Sequence, residues 1–186
     1  MIVYVESNFI LEMTLKQKHM VETESILQLA ENQKIEIVVP SFALSEPFAT
    51  ITRRYRDMER LSKFIEGMHD QLPGVLHNLA DKEADQLWSV VSRLVAVGTV
   101  IEMNSACLSR AQQVQKDIGL SQQDSIIYAS VLSHLQNRPH SEVKCFVDSN
   151  YKDFKNPAII TELSSYHCFY ESNFAKSLNF IRDFIK

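Results

Sequence analysis

Residues 2–8 read Ile2-Val3-Tyr4-Val5-Glu6-Ser7-Asn8. Four apolar, mostly β-branched residues in a row predict a buried strand. An acid follows at once. Ser7 or Asn8 is then placed to cap a helix that carries Phe9, Ile10, Met13 and Leu15. An amphipathic helix is expected over 21–32, where Ile26, Leu27, Leu29 and Ala30 stand among acids. Ile35 to Val39 is the next β-branched run, closed by Pro40. Strand, helix and strand at this spacing predict a right-handed parallel crossover and an α/β class.

The pattern from Ser41 to about His69 is helical. Pro47 disfavours the helical conformation at Glu46, so a short first turn, a kink and then a long helix are expected. Leu72-Pro73-Gly74 reads as a break, and Asp81 to about Val97 as a helix whose valine-rich end could also be extended. Residues 105–118 are helical, with Gly119 as C-cap. Ser121-Gln122-Gln123-Asp124 resembles a capping box with Asp in place of Glu. It opens a helix striped by Ile127, Tyr128, Val131 and Leu135, ended by Arg138-Pro139. Val143 to Val147 is a third strand and His167 to Tyr170 a fourth. Residues 173–186 form a closing helix with Phe174, Leu178, Ile181 and Phe184. Phe174, Phe180 and Phe184 are packing residues, within the chain or at a dimer surface. We expect one domain over 1–186, with extra helices at about 55–100 and no linker or repeat.

Composition narrows the function classes. At 186 residues, with 45% hydrophobic and 23% charged, the chain is globular rather than disordered. Only 4 glycines and 5 prolines disfavour an all-β fold, and no Gly-rich phosphate motif occurs. A net charge of −4 excludes a general basic coat for nucleic acid. Cys107, Cys145 and Cys168 lie far apart, so reduced thiols and a cytoplasmic setting are expected. The start lacks a signal-peptide pattern, and the longest apolar run, Leu94 to Ile101, is far short of a membrane span. A membrane is therefore not an expected partner.

Five acids stand where strands end or helices begin: Glu6, Glu46, Asp124, Asp148 and Asp153. Singly, each has an ordinary reading: a helix-dipole partner for Glu6 and Asp124, a solvated helix acid for Glu46, turn formers for Asp148 and Asp153. Together they suggest more, because sites in open parallel sheets gather outside the carboxyl ends of the strands. Clustered carboxylates repel unless a cation fills them, and oxygen ligands without Cys or His suit Mg²⁺ or Mn²⁺. The histidines His19, His69, His77, His134, His140 and His167 show no metal-ligand spacing. Cys145 reads as a core residue in a strand. Arg53, Arg54, Arg56, Arg60 and Lys63 form the most basic stretch; with Asp57 and Glu59 beside them, a solvated helix face is favoured over a phosphate-binding patch.

Four segments taken in order carry a resemblance. They are Val3-Tyr4-Val5-Glu6-Ser7-Asn8, Val39-Pro40-Ser41-Phe42-Ala43-Leu44-Ser45-Glu46, Leu120-Ser121-Gln122-Gln123-Asp124, and Phe146-Val147-Asp148-Ser149-Asn150-Tyr151-Lys152-Asp153-Phe154. Over roughly residues 1–170 the chain resembles a PIN domain, a family that includes VapC-type toxin ribonucleases. The resemblance implies a three-layer α/β/α sandwich with a central parallel sheet. It also implies an acidic pocket that binds Mg²⁺ or Mn²⁺ and hydrolyses RNA phosphodiesters. Glu6, Glu46 and Asp124 would be catalytic and metal-binding, and Asp148 and Asp153 further metal ligands. Ser7 and Asn8 would orient a carboxylate or touch substrate. Implied partners are RNA, a protein antitoxin and a second copy of the chain. The family usually has Asp where Glu6 stands, and Asp148 and Asp153 remain unranked. The alternative is a binding or scaffold protein with the fold and a degraded site. A phosphoacceptor receiver domain would need an acid pair after the first strand, where Glu6 stands alone.

Overall fold

The computed structural model describes residues 1–67 and 71–185. Five parallel strands form one sheet: β1 (Ile2–Val5), β2 (Glu36–Pro40), β3 (Thr99–Ile101), β4 (Lys144–Val147) and β5 (Cys168–Glu171). Their order across the sheet is β3-β2-β1-β4-β5. All four residues of β1 and of β4 are buried, as expected where helices cover both faces of a parallel sheet. The helices are α1 (Ser7–Thr14), α2 (Met20–Glu31), α3 (Ser41–Ile65), α4 (Leu72–Val97), α5 (Ser105–Ile118), α6 (Gln122–Gln136), α7 (Tyr151–Phe154), α8 (Pro157–Ser165) and α9 (Phe174–Phe184).

The chain leaves β1 towards one edge, through β2 to β3, and then returns to place β4 on the other side of β1. The switch point therefore falls between β1 and β4. The crevice beyond their carboxyl ends is where such sheets bind ligands. Val5 pairs with Val147, so the next residues, Glu6 and Asp148, emerge side by side at that crevice.

Several elements differ from expectation. The cap of α1 is neither Ser7 nor Asn8. The Glu6 carboxylate accepts from the Asn8 backbone N–H at 3.0 Å and fills that role. The expected break at Pro47 is absent, and α3 runs as one 25-residue helix. Ala43, Pro47 and Ile51 are buried at a spacing of four, so the proline ring joins the packed stripe, and burial outweighs the lost hydrogen bond. Leu72-Pro73-Gly74 is the first turn of α4 rather than a gap. Proline is well placed there, because an N–H in that turn has no intrahelical partner. That helix runs the full 26 residues to Val97, so its valine-rich end is helical.

The extended segment begins after Gly98, at the short β3, which the pattern had not separated from the valine run. A Cβ at Gly98 would sit 2.7 Å from the Leu94 carbonyl and 3.1 Å from Ile37 Cγ2, so glycine permits this close turn against β2. The strands expected as third and fourth are thus β4 and β5. The small helices α7 and α8 between them were not anticipated. Gly119 has φ of 81° and ends α5 as expected. His69 and Lys186, the ends of two expected helices, lie outside the described residues. No helix among the described residues is long and apolar enough to cross a membrane.

Two buried polar features tie the amino-end side of the sheet. Lys144, fully buried, donates to the carbonyls of Pro139, Glu142 and Tyr166 at 2.6, 2.9 and 3.2 Å. The hydroxyl of Tyr4 meets His134 Nδ1 at 2.9 Å, and burial lowers that imidazole's pKa. The three cysteines are buried free thiols.

Candidate metal centre

Glu6 and Asp148 are buried and hydrogen-bonded to each other. Burial first, then the negative charge and hydrogen bond of Asp148, hold the Glu6 carboxyl well above the ordinary carboxylate range. Burial also raises Asp148, opposed by the hydrogen bond it receives from Glu6 and by backbone donors. The two carboxyls titrate as a pair, which holds a shared proton above the ordinary carboxylate range. The pair is held from several sides. Ser7 Oγ donates to Glu6 Oε2 at 2.8 Å. The Asn150 backbone N–H donates to Asp148 Oδ1 at 2.7 Å, and Asn8 Nδ2 reaches the same oxygen at 3.4 Å. Ser7 and Asn8 thus orient carboxylates, as the resemblance implies.

Asp124 comes from the first turn of α6, the helix that leads into β4 and so begins at the carboxyl edge of the sheet. Ser121 caps that helix, its Oγ accepting from the Asp124 N–H at 3.1 Å and donating to Asp124 Oδ2 at 2.6 Å. In the standard box the acid reaches the cap's backbone N–H; here the shorter Asp reaches the hydroxyl instead. Asp124 is half-buried and its pKa is raised. Desolvation is the main cause, the Ser121 hydrogen bond opposes it, and the charges of Asp153, Asp148 and Glu46 add to it. Asp153, Asp148 and Glu46 are thus within electrostatic reach of Asp124, and Glu6 meets Asp148.

The five candidates are not equivalent. Glu46 lies partly buried in the second turn of α3, and Asp153 is exposed on α7. As placed, no three His, Cys, Asp or Glu side chains among the described residues close on a point that could hold one ion. Pairing through a proton is what a carboxylate cluster does without a counter-charge. The donor set still fits a hard divalent cation. It is all oxygen, its two innermost carboxyls share a proton that deprotonation would exchange for a full negative charge, and the hydroxyl of buried Ser125, next to Asp124, has no hydrogen-bond partner.

One contributor was not singled out from sequence. Tyr170, on β5, places its hydroxyl 3.4 Å from Asp148 Oδ2 and 3.5 Å from the Asn150 carbonyl. Only its position in a strand beside β4 could have signalled this. Three cations of the arginine-rich stretch of α3 have acidic partners: Arg54 binds Glu83 through two nitrogens at 2.8 and 2.7 Å, Arg60 meets Asp57, and Lys63 meets Glu59.

Comparison with known proteins bears on this geometry. A family model described as a PIN domain matches residues 3–154, which includes all five acids. Among solved structures, the chain is similar to the crystal structure of VapBC2 from Rickettsia felis bound to a DNA fragment from their promoter. The TM-score is 0.52 at 14% identity, covering 92% of this chain and 98% of that one. At that identity the likeness is one of fold. No protein of curated function matches the chain in sequence.

Proposed function

The chain belongs to the PIN domain family, and on that premise we propose that it is a Mg²⁺- or Mn²⁺-dependent ribonuclease, the toxin component of a toxin–antitoxin pair. The observation that carries the reading is the buried Glu6–Asp148 pair at the switch point of the sheet, with Asp124 in electrostatic reach. Glu6, Asp148 and Asp124 would hold the cation, with Glu46 and Asp153 completing the negative wall. When bound, the ion supplies positive charge at a phosphate and lowers the pKa of water.

The chain's own residues prepare that site. Glu6 gives up the shared proton, which leaves two carboxylates where one was neutral. Ser7 and the Asn8 N–H keep the Glu6 oxygens in place as the charge changes. Asn150 and Asn8 do the same for Asp148, and Ser121 holds Asp124 at the start of α6. These donors are fixed by backbone and helix caps, so little reorganisation accompanies the change of charge. The fold shared with the VapBC2 toxin–antitoxin structure supports a protein antitoxin as partner, and a homodimer is a further expectation.

The test is decay of single-stranded RNA by purified protein with Mn²⁺, Mg²⁺ or chelator. The expected result is ion-dependent cleavage that Asp124→Asn and Glu46→Gln abolish. A wild type no more active than the double variant across several RNAs refutes the enzyme reading. The alternative, a binding or scaffold protein with an inactive site, then stands.

A further inference from the structure

An acidic site repels the polyanion it would act on, so a strand has to be held by cations nearby. Within the basic stretch of α3, Arg54, Arg60 and Lys63 each face a carboxylate on α3 or α4. A second place lies at the other side of β4. Beyond the end of β5 and the start of α9 is a cavity of about 400 Å³ with two lysines, Lys155 and Lys176, in its lining. One acid, Glu171, also lines it, and Ile160 gives it an apolar edge. Its remaining wall includes Tyr170, the residue whose hydroxyl reaches Asp148 and the Asn150 carbonyl.

Tyr170 is therefore common to the acid pair and to the lysine cavity. Its ring packs against Phe146 and Phe154, at centroid distances of 6.0 and 6.4 Å, which fixes the partition between them. The Asp148 N–H donates to the Glu171 carbonyl at 3.2 Å, so the backbone that carries the acid is tied to the backbone at the cavity. The two spaces are thus neighbours at the sheet edge. Tyr170, Glu171 and Lys176 all lie beyond the segment that the family model matches.

We propose that this cavity is a phosphate subsite for the RNA strand, in which Lys155 and Lys176 hold a phosphodiester neighbouring the one presented to Glu6 and Asp148, with Tyr170 as the shared wall. This rests on the nuclease reading above and adds to it the path of the strand: from the acid crevice over Tyr170 towards the start of α9. Ile160 borders the same space and suits the apolar face of a sugar or base.

The test uses the full chain in chelator, so that no cleavage occurs, and a labelled single-stranded oligouridylate read by fluorescence anisotropy over a range of salt. Both lysines are exposed, so their replacement leaves the core intact. Lys176→Ala is expected to weaken binding several-fold and to lower the slope of log affinity against log salt by ~0.7, the value for one lost single-strand phosphate contact. The Lys155→Ala, Lys176→Ala pair should lower it by ~1.4. Inorganic phosphate should compete with the RNA on the wild type.

Unchanged affinity and salt slope in the double variant overturn the subsite. Phosphate binding that depends on the lysines, with RNA binding that does not, also overturns it, since the site then takes a free anion and not the strand. The two readings separate cleanly. Lysine-dependent binding without cleavage keeps the subsite and sinks the nuclease. Cleavage with an unchanged KM in the double variant keeps the nuclease and sinks the subsite.

Discussion

The Glu6–Asp148 pair makes a signed prediction about stability and pH. In the unfolded chain both carboxyls lose their protons near pH ~4. In the folded protein, burial and the neighbouring Asp148 keep the Glu6 proton to higher pH. Between those limits the folded state binds one more proton than the unfolded state. Stability without metal therefore falls as pH rises, by up to about 1.4 kcal/mol per pH unit. The window opens near the unfolded value and closes at the raised folded pKa. Across that window the pair lowers wild-type stability relative to a variant that cannot titrate there, by an amount set by how far the folded pKa stands above the unfolded one. Glu6→Gln with Asp148→Asn is that variant. Asp148→Asn alone should keep part of the slope, because burial is the first cause of the Glu6 shift and persists without Asp148's charge. Asp124 also titrates upward, mainly through desolvation, which every variant keeps; the part due to the charge of Asp148 is lost with Asp148→Asn and flattens the variant's curve in the same direction. The assay is urea unfolding in chelator at four pH values, with m-values compared to check that the unfolded state is unchanged. Parallel curves for wild type and the double variant would refute the shared proton.

Three further outcomes follow from the same contacts. Mn²⁺ should raise the melting temperature more at pH ~8 than at pH ~5, because the ion competes with the shared proton, and Asp124→Asn should shrink the effect in thermal scans. Ser121→Ala should cost about 1 kcal/mol of stability through the lost cap, and should raise the Asp124 pKa further in a carboxyl ¹³C titration, since the 2.6 Å hydrogen bond now lowers it. Lys144→Met should destabilise by several kcal/mol in urea unfolding, at roughly 1 kcal/mol or more for each of the three stranded carbonyls.

Most of the sheet was legible because its strands are buried on both faces and so read as unbroken β-branched runs, as in Ile2-Val3-Tyr4-Val5. The edge strand β3 was not, because only three residues pair and they follow directly on a helix that ends in the same valines. Proline misled twice for one reason. Its local effect is certain, but whether a helix continues, breaks or begins there depends on packing, as at Pro47, or on position in the helix, as at Pro73. The positions of all five acids at strand ends and helix starts were readable. Their inequality was not: nothing in a linear pattern separates Asp148, which follows a strand paired in register with β1, from Asp153, one turn later and exposed. Tyr170 was invisible for the same reason, since its relation to Asp148 exists only once β5 lies beside β4.

The glutamate at position 6 illustrates how local and long-range demands meet. A cap residue is usually short, because its oxygen has to turn back on the first helical N–H groups. Glu6 does this with one oxygen, which accepts from Asn8, while the other accepts from Ser7. The same carboxyl also meets Asp148 across the switch point. An aspartate here would cap α1 at least as well, but its carboxyl would be drawn back by about 1.5 Å, the length of one carbon–carbon bond. The longer arm therefore lets one residue start a helix and face the acid on the neighbouring strand. Two carboxyls brought together in this way are destabilised as a dianion, and the shared proton relieves the repulsion. A cation that displaced the proton would turn that repulsion into binding energy, so the feature that weakens the apo fold at high pH is the one that would make the site bind.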